Sequence, residues 1–387
     1  MDPYRNPFAP GAGSKPPELA GRDQILKDAK IACGRALNGR NPRSMMLLGL
    51  RGTGKTVLLN EIGRIADDQG YYISKIEAPE HQSLAKLLYP EMRKVLRALS
   101  TIESAKQLAK RGLKGLRGFA AIFKIKISDA EIGVDPEPGL ADSGDLQFDL
   151  PELFTAIGKA AKAGSKGWVL LIDEVQYLSE TDLSALIVAI HRMSQDGLPV
   201  IMFGAGLPQI ARLAGEAKSY SERLFLYPSV DALDPESARY AVEKPILEED
   251  ATISPEALTE IVTKTQGYPF FLQEWSSNAW DYAEGPAINK QDVDTAYVET
   301  LASLDSGFFR VRLDRLTPKE TEFVTVMAEL GDGPYAMSDI AKALNKKLSS
   351  LGPVRAKTIS KGMIYSTEHG YLDFTVPLFA EFMRRQS

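Results

Sequence analysis

Gly49-Leu50-Arg51-Gly52-Thr53-Gly54-Lys55-Thr56 fits the spacing G-x-x-x-x-G-K-[ST] at every position. Glycines so placed leave successive backbone N–H groups open to a polyanion, and a helix starting just after them adds the positive end of its dipole. Lys55 would neutralise β- and γ-phosphate charge, and the Thr56 hydroxyl would ligate magnesium. The competing explanation, a chance glycine turn, is disfavoured by the flanking pattern. A second group of residues depends on the first. The apolar run Trp168-Val169-Leu170-Leu171-Ile172 ends in Asp173-Glu174, a weak signal alone because strands often end in acids. Downstream of a phosphate loop it reads as a Walker B segment. Asp173 would then hold magnesium, directly or through water, and Glu174 would orient or deprotonate an attacking water. The ligands implied are ATP and Mg2+.

These residues need elements to hold them. Arg43 to Gly49 is a short apolar run ending in glycine, which suits a buried strand, and Thr56 to Gln69 has helical spacing through Val57, Leu58, Ile62 and Ile65. Strand, loop and helix thus follow in the order the motif requires. Further strands are predicted at 168–172 and 199–204, with a helix from Ser184 to Gln195 between them and another from Asp23 to Asn38 before the loop. Strands alternating with such helices predict an α/β fold with a parallel sheet sandwiched by helices.

Composition fits this reading and narrows the rest. With 387 residues, 44% apolar and 25% charged, the chain has globular proportions and room for two or three domains. No stretch approaches the roughly 18 uncharged apolar residues needed to span a bilayer, and Met1-Asp2-Pro3-Tyr4-Arg5 lacks a signal peptide's apolar core, so a cytoplasmic protein without a membrane partner is expected. The single Cys33 cannot form an internal disulfide, and His81, His191 and His369 offer no metal-ligand spacing. A net charge of −5 confines any nucleic-acid surface to a local patch.

Together with Asn6-Pro7-Phe8 and Leu19-Ala20-Gly21-Arg22-Asp23, the two motifs resemble the AAA+ superfamily in its origin-recognition-like branch, which borders on the STAND regulatory ATPases. The resemblance implies an ATPase domain over 1–230, a helical lid over 231–305 and a winged helix-turn-helix domain over 306–387. It also implies that Gly21, Arg22 and Asp23 lie near the adenine, the Pro- and Gly-rich strip before them lying extended over another surface. Arg223, in Ser219-Tyr220-Ser221-Glu222-Arg223-Leu224-Phe225, stands where such proteins place an arginine finger for a neighbouring subunit; a surface ion pair is the alternative. Gly267-Tyr268-Pro269 resembles the Gly-x-Pro lid motif, which puts Gly267 and Pro269 at the nucleotide, against the alternative of a helix-capping turn. One departure is evident. The strand after Walker B runs into Gly204-Ala205-Gly206, with no hydroxyl or side-chain amide to sense the γ-phosphate, which points to slow hydrolysis.

Two segments remain. Between about 100 and 150, a basic run (Lys106, Lys110, Arg111, Lys114, Arg117) precedes alternating residues at 123–127 and 130–134, predicting a hairpin inserted into the ATPase and either a nucleic-acid track or a solvated face. Near the C-terminus, Thr317-Pro318-Lys319-Glu320 is a capping box opening a helix to Leu330. Ser338 is predicted to cap a helix to Leu344, another helix covers Leu351 to Lys361, and 363–366 with 371–375 form a wing. From Ala341 to Ser387 there are eight basic and three acidic residues, a local +5, which assigns duplex DNA to Arg355, Lys357 and Lys361. The chain reads as an ATP-driven switch coupling nucleotide state to DNA or to a homo-oligomer. The other reading is a STAND-like signalling ATPase whose winged helix serves a protein partner, and a scaffold without useful turnover is a third.

Overall fold

The computed structural model describes residues 1–11, 13–79, 82–125 and 139–386. They divide into two compact units, one of 24–49 and 58–229 and the other of 1–23, 50–57 and 230–387.

The first unit is an α/β layer structure. Strands β1 (Ser44–Leu48), β2 (Tyr71–Glu77), β3 (Gly167–Asp173), β4 (Val200–Gly206) and β5 (Phe225–Leu226) form one sheet in the order β2-β3-β4-β1-β5, and each pairing is parallel. Helices α1 (Asp23–Leu37), α2 (Lys55–Asp68), α3 (Leu84–Leu99), α4 (Lys106–Ile122), α5 (Leu146–Ala163), α6 (Glu180–Gln195), α7 (Ile210–Ala217) and α8 (Ser221–Leu224) accompany it. Strands β3 and β4 are buried at all seven positions each, as expected of central strands covered on both faces. Trp168, Phe154 and Phe203 are fully buried in this unit, each worth about 1.5–3 kcal/mol of transfer free energy. Because β1 lies between β4 and β5, chain order reverses beside it, and ligands of open α/β sheets bind outside the strand ends at such a switch point.

Several expectations are corrected here. Helix α6 begins one turn before Ser184, capped by the Ser179 hydroxyl accepting from the Asp182 N–H. Residues 123–125 are no strand: Phe123 caps α4, and Lys124 turns back with φ +50°. The remainder of the expected hairpin, from Lys126 through Pro138, lies outside the described residues. The basic run occupies α4, with Lys110, Arg111 and Lys114 exposed, while Gly112, Gly115 and Gly118 of the same helix are buried. A Cβ at Gly112 would come 2.7 Å from Leu96 of α3, and one at Gly115 would come 2.4 Å from Leu140, so glycine at 112 lets α4 approach α3 closely and glycine at 115 makes room for Leu140.

The second unit is mainly helical. It contains α9 (Pro235–Glu248), β6 (Thr252–Ile253), α10 (Pro255–Thr265), α11 (Pro269–Tyr282), β7 (Ala287–Ile288) and α12 (Lys290–Ser303). A π-helical turn at Leu304–Phe309 leads into α13 (Arg310–Leu313), α14 (Pro318–Glu329), β8 (Tyr335–Ala336), α15 (Met337–Ala343), α16 (Gly352–Ser360), β9 (Ile364–Ser366), β10 (Tyr371–Phe374) and α17 (Phe379–Gln386). The last three strands form an antiparallel sheet ordered β8-β10-β9. Strong caps fix the helix starts: Asp234 before Pro235, Ser254 before Pro255, an Asn289–Asp292 capping box, and the expected Thr317–Glu320 box. Ser338 is no cap, since α15 starts a residue earlier at Met337 and carries no side-chain cap. One apolar core runs through Phe8, Phe271, Trp275, Phe309, Phe323, Phe379 and Phe382, drawing on residues from both sides of position 305. The N-terminal strip is fastened to α11: Asn6 Nδ2 donates to the Ser277 carbonyl (3.0 Å), the Ala9 N–H donates to Gln273 Oε1 (3.1 Å), and Phe8 is buried.

Candidate phosphate loop and sheet edge

The carboxyl edge of the sheet brings three sequence-distant segments level. Leu48 is in register with Gly206, and Ile172 with Gly204, so the chain leaves β1 as Gly49, β3 as Glu174 and β4 as Leu207 along one edge. The Gly49 N–H donates to the Gly206 carbonyl at 3.0 Å. Asp173 is buried, and its Oδ1 accepts from the Glu174 N–H at 2.9 Å. Glu174 is left-handed, at φ +55°, a conformation costing a non-glycine residue about 1 kcal/mol or more. It turns the chain sharply out of β3 into the one-turn helix Val175–Tyr177.

The glycines at this edge have a packing cause. A Cβ at Gly204 would lie 2.5 Å from Met46 Sδ on the neighbouring strand, and one at Gly206 would lie 2.1 Å from Gln176 Oε1. The expectation that no side-chain amide is available at the end of this strand is therefore corrected. Gln176 Oε1 accepts from the Leu207 N–H at 3.1 Å, and its Nε2 donates to Glu174 Oε2. Sequence reading missed Gln176 because it belongs to a different strand's exit.

The phosphate loop, residues 50–57, belongs to the second unit, where it meets three other segments. Gly52 and Gly54 have φ of +85° and +91°, which only glycine adopts cheaply, and a Cβ at Gly54 would meet nothing within 4 Å. The space beside Gly54 is therefore open, as the phosphate-loop expectation requires. Thr53 and Lys55 are buried, and Thr53 Oγ1 and Lys55 Nζ donate to the Leu50 carbonyl at 3.0 and 2.6 Å. Phe270 donates its N–H to the Gly52 carbonyl (3.2 Å), the Tyr268 hydroxyl donates to the Arg51 carbonyl, and the Arg51 N–H donates to the Thr375 carbonyl (3.1 Å). Thr375 is itself immobilised, its hydroxyl donating to the Gly362 carbonyl at 2.6 Å. Arg22 donates to the carbonyls of Thr53 and Asp231. Burial lowers its pKa, against Asp231 and Asp234, which raise it. Gly21, at φ +69°, packs against Ser237 at the start of α9, and Asp23 opens α1.

Gly267 stands where a Cβ would come 2.3 Å from the Leu233 carbonyl, and its own carbonyl accepts from the Leu233 N–H at 2.8 Å. Pro269 is the first residue of α11. Of this motif, the middle residue makes the side-chain contact with the loop. Burial pushes the Tyr268 phenol far above its ordinary range, with Tyr365 and Asp231 adding to it, so it stays a neutral donor. Arg312, also unanticipated, lies 3.8 Å over the Phe308 ring; burial, then Arg51 and Arg315, push its pKa down to about 10.

The remaining predicted residues lie elsewhere. Arg223 is exposed on α8 and makes no ion pair with a described residue. Lys357 is exposed, while Arg355 is half-buried with Nη2 3.4 Å from Ser366 Oγ. Lys361 is partly exposed and paired within the protein: its Nζ donates to Glu320 Oε2 at 2.6 Å and to the Arg315 carbonyl at 2.7 Å. The capping-box carboxylate it meets is 2% exposed, so this expected DNA contact already has an internal partner.

Residues 18–203 match the family described as AAA ATPase domain. The protein is a P-loop ATPase. Residues 306–383 of this ATPase match a second family, described as Domain of unknown function (DUF8462). No curated protein matches the chain in sequence. Among solved structures, a Walker-type ATPase of Pyrococcus abyssi is similar over 96% of this chain and 97% of its own, at 16% identity and a TM-score of 0.55. The Orc1 protein of Aeropyrum pernix, solved in complex with DNA, covers 99% of this chain and 96% of its own at 15% identity and a TM-score of 0.49. The RuvB Holliday junction branch migration motor of Thermotoga maritima covers 95% of each at 15% identity and a TM-score of 0.47. At such identities the likeness to the Pyrococcus ATPase is one of fold, and no described helix is long and apolar enough to cross a membrane.

Proposed function

We propose that this ATPase is a nucleotide-driven switch whose C-terminal segment, read as a winged helix, responds directly to the state of the phosphate loop. The observation that carries the proposal is the clamp on Arg51: its N–H is held by the Thr375 carbonyl just after β10, and its carbonyl by Tyr268. Any ligand that reshapes the loop must strain or release those two bonds. Lys55 and the loop N–H groups would hold the β- and γ-phosphates. The hard oxygen donors Thr56 and Asp173 suit magnesium, which prefers one or two carboxylates alongside phosphate oxygens; the ion would supply charge neutralisation across the transferred phosphoryl group. Glu174 takes a proton from the attacking water as its oxygen bonds to the γ-phosphorus and the bond to the β–γ bridging oxygen breaks. The test compares variants. Lys55→Ala is expected to lose tight ATP binding, whereas Glu174→Gln keeps it and stops turnover. Hydrogen exchange of 371–376 should differ between the ATP and ADP forms. Equal exchange in both forms sinks the switch, and normal hydrolysis by Glu174→Gln sinks the catalytic assignment.

DNA is the first candidate for what the switch controls, resting on the local +5 charge and on Arg355 and Lys357. The signalling reading, in which the winged helix is a regulatory protein element, draws support from the Lys361–Glu320 pair, which removes one cation from the DNA set. Duplex binding measured by fluorescence anisotropy at low salt separates them. Absence of binding in both nucleotide states leaves the signalling reading.

A further inference from the structure

We infer that Gln176 is a positioning residue for hydrolysis: from the turn after β3 it supplies the polar group that the end of β4 lacks, and ties it to Glu174. The inference rests on the catalytic reading of Glu174. Its amide orientation is forced by its partners. The Leu207 N–H can only donate, so Oε1 faces it at 3.1 Å. The Glu174 carboxylate can only accept when ionised, so Nε2 faces Oε2. One amide therefore bridges the exit of β4 and the carboxylate after β3. Glycine at 206 is the other half of the arrangement, since any Cβ there would overlap Gln176 Oε1 at 2.1 Å. The strand has given up a side chain at the place a neighbouring turn now fills. The carboxylate needs such a tether: Glu174 sits in a left-handed backbone conformation at the start of a single short turn, held by the Tyr177 N–H to Glu174 carbonyl bond at 3.0 Å, which leaves its side-chain torsions otherwise unset.

The test uses the full chain with Gln176→Leu, which keeps bulk and removes both hydrogen bonds. Turnover is expected to fall about 10- to 100-fold, the range typical of lost outer-shell partners, while the ATP dissociation constant stays within about 3-fold because the phosphate loop is untouched. Gly206→Ala should reproduce that split from the other side of the contact, and the double variant should be no slower than the slower single one, as for two changes to one interaction. A purely structural role would lower Tm without separating turnover from affinity. Should Gln176→Leu fail to fold, Gln176→Asn, too short to span both partners, is read the same way. Wild-type turnover in these variants while Glu174→Gln is inactive overturns the inference alone. Normal turnover in Glu174→Gln overturns the reading beneath it as well.

Discussion

Lys361 and its neighbours on α16 show how much a single partner changes a residue's meaning. Burial alone would raise the pKa of Glu320, but hydrogen bonds from Lys361 and Thr317 more than offset it and hold the carboxyl below its ordinary value of 4.5. A carboxylate depressed on folding contributes stability that is complete above its unfolded pKa and is lost as pH falls through the folded one. The second unit should therefore lose stability below about pH 4.5, and Lys361→Ala should flatten that acid limb in thermal melts. Because the variant leaves a buried carboxylate without its cation, it should also cost about 3 kcal/mol near neutrality, the lower end of the range for broken buried pairs given that Lys361 is partly exposed. Arg355→Ala with Lys357→Ala should leave Tm nearly unchanged. If instead Lys361→Ala melts like the wild type, Glu320 is not held by this pair. Arg355 and Lys357 are then the residues with which to probe DNA. Their joint replacement should reduce the slope of log affinity against log salt by up to about 0.9 per lost phosphate contact.

Under the proposed switch, the junction between α10 and α11 is the element that would carry coupling to the loop. Gly267 permits the close approach of the Leu233 carbonyl, Pro269 presets the first turn of α11, and Tyr268 between them reaches Arg51. Gly267→Ala would place a Cβ 2.3 Å from a backbone oxygen at a left-handed φ, so a loss of several kcal/mol or outright misfolding is expected. Tyr268→Phe is the informative change. It keeps the ring packing and removes one hydroxyl donor, at a cost of about 1–3 kcal/mol for the carbonyl left unsatisfied. Its expected signature is faster exchange in the phosphate loop and weaker nucleotide dependence in 371–376, read by hydrogen exchange. Unchanged exchange in both segments would show that the hydroxyl carries no coupling. At the same scale, α3 to α5 explain why the segment around 100–150 resisted sequence reading. Its charges drew attention to a solvated face, whereas the buried stripe of glycines on α4 carries the packing, and a glycine has no hydropathy signal of a core residue.

For the whole chain, the exposed guanidinium of Arg223, which makes no ion pair among the described residues, suits the proposal of a role completed by a second copy. Arg223→Ala should lose activity and regain part of it when mixed with Lys55→Ala protein, since one intact interface can be rebuilt; a finger contributes about 10³ to 10⁵ in rate in the best cases. Mass measurement in ATP should show assembly. If mixing restores nothing and ATP leaves a monomer, Arg223 serves the surface only. The sequence by itself determined the phosphate loop, the Asp173-Glu174 strand end, the central strands β1, β3 and β4, and the capping box at Thr317, because each is a local pattern written in consecutive residues and enforced by backbone geometry, burial on both faces or a cap. It could not reveal that β1 pairs between β4 and β5, that Gln176 fills the gap beside Gly206, that Tyr268 and Thr375 grip Arg51, or that Lys361 belongs to Glu320. Those contacts join residues from two to more than three hundred positions apart, and their hydrogen-bonding groups are backbone atoms common to all residues or polar side chains whose partners are fixed only once packing has brought them within about 3 Å.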